Sequence, residues 1–294
     1  MHKLIIKDLS KTYDNGVKAL EKISIEIENG LFGLLGPNGA GKSSLMRTLA
    51  TLQEADSGSA KLNDIDIFQQ PHELRKVLGY LPQEFGVYPR ISAEQLLTHL
   101  AILKGIAKAS ERKEVVKYLL NKVNLYDQRK KNVKGFSGGM KQRIGIAQTL
   151  LGNPKLIIVD EPTAGLDPGE RNRFYNLLAD VGEEVIVILS THIVDDIREL
   201  CTKMAIMNEG CIVYHGSPDE AMSTLQGKVY QKIVSRENLD TYAEQYQIIS
   251  NKMVGGKPLI HVYSDTNPQN DFEQVKPNLE DVFFSKINTS HQLV

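Results

Sequence analysis

The eight residues Gly36-Pro37-Asn38-Gly39-Ala40-Gly41-Lys42-Ser43 constrain this chain more than any other stretch. They follow an apolar run, Leu31-Phe32-Gly33-Leu34-Leu35, and precede a helix-competent one, Ser44-Leu45-Met46-Arg47-Thr48-Leu49. Strand, glycine loop and helix in that order make a P-loop, and a P-loop needs an α/β core to carry it. The composition follows from the chemistry. A triphosphate brings several negative charges that must be approached without steric walls, so glycines let backbone N–H groups face its oxygens. The helix that begins near Lys42 adds the positive end of its dipole. Lys42 is placed to reach the β- and γ-phosphates, the Ser43 hydroxyl to ligate Mg²⁺, and Ser44 joins the expected ATP contacts.

A P-loop alone leaves kinases, GTPases and transporters open, and four later segments narrow the choice. Gln83 follows a short apolar strand, Val77-Leu78-Gly79-Tyr80-Leu81, and Pro82. Next comes Phe136-Ser137-Gly138-Gly139-Met140-Lys141-Gln142-Arg143, then the strand Leu156-Ile157-Ile158-Val159 ending in Asp160-Glu161. The apolar run Val185-Ile186-Val187-Ile188-Leu189 ends in Ser190-Thr191-His192. In content and order these segments resemble the ATP-binding cassette (ABC) family, whose signature is a Leu-Ser-Gly-Gly-Gln-like pentapeptide between the two phosphate motifs. The resemblance runs from about Leu4 to Met222 and includes Ala164-Gly165-Leu166-Asp167. Phe136 and Met140 depart from the commonest signature, while Ser137, Gly138 and Gly139, the positions expected to touch phosphate, are intact.

The chain has 294 residues, enough for one large or two small domains with a real core. A net charge of −1 supplies no field that would draw the whole molecule to nucleic acid or anionic lipid, so no nucleic-acid partner is expected. The longest aliphatic runs are about five residues, far below the ~18 needed to cross a bilayer. The N-terminus, Met1-His2-Lys3-Leu4-Ile5-Ile6-Lys7, lacks an apolar export segment and a cleavage site. Cys201 and Cys211 form neither a C-x-x-C nor a metal pattern and read as small buried residues in a reducing cytosol. A membrane role therefore has to come through a partner chain.

Ile23-Ser24-Ile25-Glu26-Ile27-Glu28 alternates strictly, the mark of a half-buried strand. With the strand near Leu4–Lys7 it predicts an antiparallel β layer ahead of the P-loop. From Ser92 the pattern turns helical: Ser92 and Gln95 make a capping box, and Val115, Val116, Leu119, Leu120 and Val123 repeat at helical spacing. Residues ~87–152 are expected to form a mostly helical insertion, with the Gly-Gly pair opening an amphipathic helix. The βαβ rhythm then returns, with Asp167-Pro168-Gly169-Glu170 starting a helix to about Asp180 and a buried strand over 185–189. This predicts a parallel core whose strand-end loops hold ligand. Ser217-Pro218-Asp219-Glu220 is another capped helix start. Beyond it lie expected strands at Tyr230–Val234 and Leu259–Tyr263, a Gly255-Gly256 turn and a terminal helix over Asn278–Phe284. The expected fold is a P-loop α/β core, a mixed sheet with an antiparallel β layer, carrying an inserted helical subdomain. Residues 1–222 make the nucleotide-binding domain and 223–294 a small α+β extension.

At the site, Asp160 is suited to hold Mg²⁺ through water beside Ser43, because magnesium keeps several waters and needs few protein ligands. Glu161 is the candidate general base for the water that attacks the γ-phosphorus, with Lys42 and Mg²⁺ neutralising charge. Through the resemblance, His192 is the switch histidine that hydrogen-bonds the γ-phosphate, and Gln83 senses Mg²⁺ and the attacking water. Tyr13, in Lys11-Thr12-Tyr13-Asp14, resembles the aromatic that stacks on adenine; read as a residue alone, it is equally a surface tyrosine. The resemblance also places Ser137, Gly138, Gly139 and Asp167 against nucleotide held by an opposing subunit. It thus implies an ATP-dependent homodimer, or a heterodimer with a second ABC subunit, cycling with hydrolysis. It implies a separately encoded membrane permease, at the inner face of the membrane. The terminal Pro277-Asn278-Leu279-Glu280-Asp281-Val282-Phe283 and the Phe136-type signature resemble the exporter branch. The competing reading is a soluble ABC-type ATPase acting as an assembly or regulatory machine. Phe85, Val87 and Tyr88 read either as a notch for a permease helix or as core of the helical subdomain.

Overall fold

The computed structural model describes residues 1–83, 86, 90–163, 166–268 and 271–291. The first strands are β1 (Lys3–Thr12) and β2 (Lys18–Glu28), paired antiparallel with Leu4 opposite Ile27 and Ile6 opposite Ile25. Every second residue from Ile23 to Ile27 is buried, so the alternation read from the sequence puts one face inward. Next come β3 (Gly30–Leu35), the phosphate-type loop and α1 (Lys42–Leu49). β4 (Ser57–Leu62) and the short β5 (Ile65–Asp66) complete a sheet in the order β2-β1-β4-β5.

α2 (Pro71–Val77), with Pro71 in its first turn, leads directly into β6 (Leu78–Leu81). Val77, assigned to the strand on its apolar neighbours, is instead the last residue of that helix. α3 (Ala93–Leu103), α4 (Ala109–Lys122) and α5 (Gly138–Thr149) form the helical insertion. The Ser92 hydroxyl and Gln95 side chain cap α3 reciprocally. α5 is not the amphipathic helix expected: Gly139 and Ile144 to Ala147 are buried around its circumference. A Cβ at Gly145 would come 2.6 Å from a methyl of Leu81, so this helix lies tight against β6.

β7 (Leu156–Asp160), α6 (Pro168–Gly182), β8 (Ile186–Thr191), α7 (Val194–Leu200), β9 (Lys203–Asn208) and β10 (Cys211–Gly216) complete the central sheet and its helices. The central sheet has the order β10-β9-β3-β8-β7-β6, parallel from β9 to β6 with β10 antiparallel at the edge. Its inner strands β3, β7, β8 and β9 are buried on both faces, and their two-residue period sorts them into two cores. Leu31, Leu35, Ile157, Val159, Val187 and Leu189 face Phe174 and Leu178 of α6 and the helical insertion. Phe32, Leu34, Leu156, Ile158, Ile186 and Ile188 face α1 and the antiparallel sheet. The result is three layers, with every loop after β3, β6, β7 and β8 emerging at one edge, the carboxyl end of the parallel strands.

The remainder contains α8 (Pro218–Ser223), β11 (Val229–Ile233), α9 (Leu239–Gln245), β12 (Gln247–Val254), β13 (Lys257–Tyr263), β14 (Glu273–Gln274) and α10 (Leu279–His291). Its sheet, β12-β13-β11-β14, is antiparallel, and the turn at Gly255-Gly256 joins β12 to β13. The sheet has a small core of its own around Tyr230, Ile260, Val262 and Phe272. α10, by contrast, sends Leu279, Val282 and Phe283 into the main core and packs against α7 and α8. Asn278 and Asp281 cap the start of α10 reciprocally, and the buried Asp281 carboxylate also meets His261 Nδ1 at 2.7 Å. Cys201 is buried as expected, whereas Cys211, on the edge strand, is only half-buried. Among the described residues no helix is long and apolar enough to cross a membrane.

Candidate active site

The loop after β3 turns through Gly39 and Gly41, which take positive φ of 85° and 102°. A Cβ at Gly41 would sit 2.3 Å from the Ala19 carbonyl oxygen, so glycine is required there on both counts. Lys42, the first residue of α1, is 5% exposed and folds back to donate to the carbonyls of Gly36 (2.7 Å) and Pro37 (3.0 Å). Burial pushes its ammonium pKa down, opposed by the carboxylates of Glu161 and Asp160. Ala40 donates its N–H to Pro37, closing the loop beneath.

This loop forms one wall of a cleft of about 420 Å³ that also takes in Ser43, Ser44, Tyr13, Gln83 and Glu161. Tyr13 reaches its place through its hydroxyl, which lies 2.9 Å from Ser44 Oγ and donates to Gln53 Oε1 at 3.2 Å. Gln53 in turn donates to the Ser44 carbonyl and the Thr48 hydroxyl. The loop carrying Tyr13 is tied down by Asp56, which accepts from Lys11 Nζ and from the Thr12 N–H. Opposite the P-loop, the Glu161 carboxylate accepts from Gln83 Nε2 at 3.0 Å and lies 3.2 Å from His192 Nδ1. Only 12% of the Glu161 side chain is exposed, against 48% for His192. Asp160, at the end of β7, is 5% exposed and accepts a short hydrogen bond from the Ser190 hydroxyl.

Ser137, Gly138, Gly139 and Asp167 do not line this cleft. Ser137 caps α5, accepting from the Met140 N–H at 3.2 Å, and Gly138 is exposed beside it. Asp167 caps α6, accepting from the Glu170 N–H at 2.9 Å. A Cβ on Gly139 would meet the Glu170 carboxyl at 2.5 Å, so the glycine lets the signature helix and α6 approach each other. Ala164, Gly165, Phe85, Val87 and Tyr88 lie outside the described residues.

Sequence reasoning missed the side chains that hold these groups in place. Asp196 is fully buried and accepts from Thr163, Thr191, Arg171 and Tyr175, joining the loop after Glu161 to the loop of His192 and to α6. Burial and that carboxylate hold the Tyr175 hydroxyl well above the usual phenol range. The signal was present: Ile193, Asp196, Ile197 and Leu200 share one helical face, so an acid sits in an apolar stripe. Ser190 and Gln53 carried no such mark.

Strand-end loops gathered around a P-loop, with a helical insertion beside them, make this an ATP-binding cassette. The ABC transporter family profile matches residues 20–164. The chain is 33% identical over 301 aligned residues to the Bacillus subtilis ABC transporter ATP-binding protein YxlF, spanning 97% of this chain and 99% of that one. It therefore belongs to the family of ABC transporter ATP-binding proteins. The daunorubicin/doxorubicin resistance ATP-binding protein DrrA of Streptomyces peucetius is 30% identical across 88% of this chain and 77% of its own. Among solved structures, the dimeric cassette MJ0796 in a post-hydrolysis state, bound to ADP and Pi, overlays with a TM-score of 0.66. That overlay covers 73% of this chain and 98% of the other at 23% identity, a likeness of fold.

Proposed function

We propose that this chain hydrolyses ATP to power export through a separately encoded membrane permease, acting as an ATP-dependent dimer. The observation that carries this reading is the convergence on the Glu161 carboxylate, where Gln83 and His192 arrive from two other strand ends at 3.0 and 3.2 Å, facing the P-loop. A nearly buried carboxylate held from two sides is oriented, and phosphoryl transfer asks chiefly for orientation and charge neutralisation. Glu161 takes the proton of the attacking water as general base. His192 contacts the γ-phosphate, Gln83 orients the water, and Lys42 leaves its loop carbonyls for the β- and γ-phosphates. The remaining P-loop residues, Gly36 to Ser43 with Ser44, supply N–H groups and hydroxyls to the phosphates, and Tyr13 stacks on the base.

The residues present fit a magnesium ion: the Ser43 hydroxyl, the Gln83 amide and the Asp160 carboxylate are hard oxygen donors, few in number, as this ion prefers. When bound with the nucleotide it neutralises charge on the phosphate oxygens. Asp160 keeps its second carboxylate oxygen for that duty, since the first is engaged by Ser190.

Ser137, Gly138, Gly139 and Asp167 act on nucleotide held by a second subunit; their absence from the wall of the cleft supports that assignment. The permease docks in an apolar groove of about 370 Å³ between the core and the helical insertion, lined by Ala50, Leu52, Tyr80, Leu100, Leu103 and Lys104. Leu103 is 81% exposed and Leu52 56%, a cost that an amphipathic helix laid across them would remove. The drug-resistance relative DrrA supports the outward direction. Residues 1–222 form the nucleotide-binding unit, and 223–294 an extension to it.

The test is ATP turnover of the purified chain and of Glu161→Gln. The amide keeps the shape and loses the base, so turnover falls by about 10²–10⁴ while nucleotide binding is retained. Near-normal phosphate release by the variant removes Glu161 from the role. Loss of co-purification with the candidate permease on Leu103→Asp, with turnover intact, supports the docking groove.

A further inference from the structure

We propose that Ser190 is a positioning residue for ATP hydrolysis, one hydroxyl that sets both carboxylates of the site. The inference rests on the reading of Asp160 and Glu161 just given. Ser190 lies in β8 and is fully buried, in parallel register with Asp160 of β7. A serine hydroxyl has one proton to give and lone pairs to receive with. Here the proton goes to Asp160 Oδ1, and the oxygen accepts the Glu161 N–H at 3.1 Å. The Ser190 carbonyl takes the same N–H at 3.2 Å, so a single residue holds the Glu161 backbone by two acceptors.

That grip matters because Glu161 has a φ of 45°, in the left-handed region that a residue with a Cβ enters only when its surroundings hold it there. Without the hydroxyl only the Ser190 carbonyl still holds the peptide before Glu161, so that strained peptide is gripped less tightly and its carboxylate shifts off the line to Gln83 and His192. Asp160 is fixed by the same atom from the other side. With Oδ1 bound by Ser190, rotation about the carboxyl is blocked and the second oxygen is presented in one orientation. The direction of the shared bond links the two arms: donating to Asp160 leaves the lone pairs of Ser190 facing Glu161.

A buried serine that merely satisfies Asp160 would affect folding and little else, so the experiment separates the two. Ser190→Ala, Ser190→Thr and Ser190→Cys are compared with the wild type and with Glu161→Gln as control. Steady-state kinetics give kcat and KM, melting curves report folding, and binding of a fluorescent ATP analogue is titrated with Mg²⁺ without turnover. Removing a group that orients a metal ligand costs about 10–100-fold. Ser190→Ala is expected to lose kcat by that factor at little-changed KM, and to need about tenfold more Mg²⁺ for its effect on analogue binding. Ser190→Thr, which keeps the hydroxyl, restores both. If Ser190→Ala does not fold, Ser190→Cys fills the space with a far weaker donor and is expected to show the same losses. Wild-type kcat and Mg²⁺ demand in Ser190→Ala or Ser190→Cys overturn the proposal, as does equal loss in Ser190→Thr. If Glu161→Gln itself retains turnover, the site reading falls and this inference with it. If the control is inactive and the Ser190 variants are not, only this inference falls.

Discussion

At the scale of single residues, the buried Asp196 makes the sharpest stability prediction. Four donors from three separate segments meet its carboxylate, and one of them is a guanidinium. Asp196→Ala leaves Arg171 facing a void and three hydroxyls without their acceptor, so a loss of about 3–5 kcal/mol is expected in denaturant unfolding. Asp196→Asn, which can still accept from the hydroxyls, is expected to lose less. A loss below about 1 kcal/mol in Asp196→Ala would mean that the network holds nothing together. This residue also marks where the sequence stops being legible. Lys42 is readable from the glycine loop that it ends, and Asp160, Glu161 and His192 because they follow apolar runs; the structure sets the last two together at 3.2 Å. The supporting shell is not readable that way. Ser190 acts on Asp160 only because β7 and β8 are adjacent and in register, and adjacency of strands is a property of the sheet.

Among elements, Lys104 joins the helical insertion to the core. Its ammonium, at the end of α3, donates to the carbonyls of Arg75 (2.8 Å) and Leu78 (2.6 Å), filling the unsatisfied C-terminus of α2. Lys104→Met keeps the apolar stem and removes the donor, so about 1–3 kcal/mol of stability should go, read as a shift in denaturation midpoint. Burial lowers the pKa of this lysine in the folded chain, which then binds fewer protons than the unfolded one. Stability conferred by this residue therefore rises as pH climbs through the folded-state value toward that of the unfolded chain. The wild type should gain on Lys104→Met over that alkaline window; a constant gap would contradict it. Long periodic elements were legible: the alternating β2, the capped α3 and α6, and the aliphatic β7 and β8 all stand where pattern put them. α2 and α9 went unread because a helix that buries almost nothing shows no apolar period; α2 has one buried residue, Leu74, and α9 has none. α5 misled for the opposite reason, since a helix surrounded by other elements has no wet face to reveal a period.

For the whole molecule, the exposed helix starts at Ser137 and Asp167 make dimerisation the property to measure. Glu161→Gln with ATP and little Mg²⁺ is expected to sediment as a dimer, and adding Ser137→Arg to leave a monomer, because in the proposed shared site a bulky cation there would clash with nucleotide on a second copy. A double variant that still dimerises on ATP would refute the shared site. The placement of α10 bears on a different stage of the protein's life. Its Leu279, Val282 and Phe283 belong to the same core as Leu31 and Leu35, and it packs on α7 just beyond His192. On the ribosome every residue of the cleft has been made long before that seal exists. Roughly sixty residues separate β10 from α10, which at about 5–20 residues per second leaves the underside of α7 bare for on the order of 3–12 s. The nascent chain thus carries a complete set of phosphate loops over an apolar face that its last helix has yet to cover.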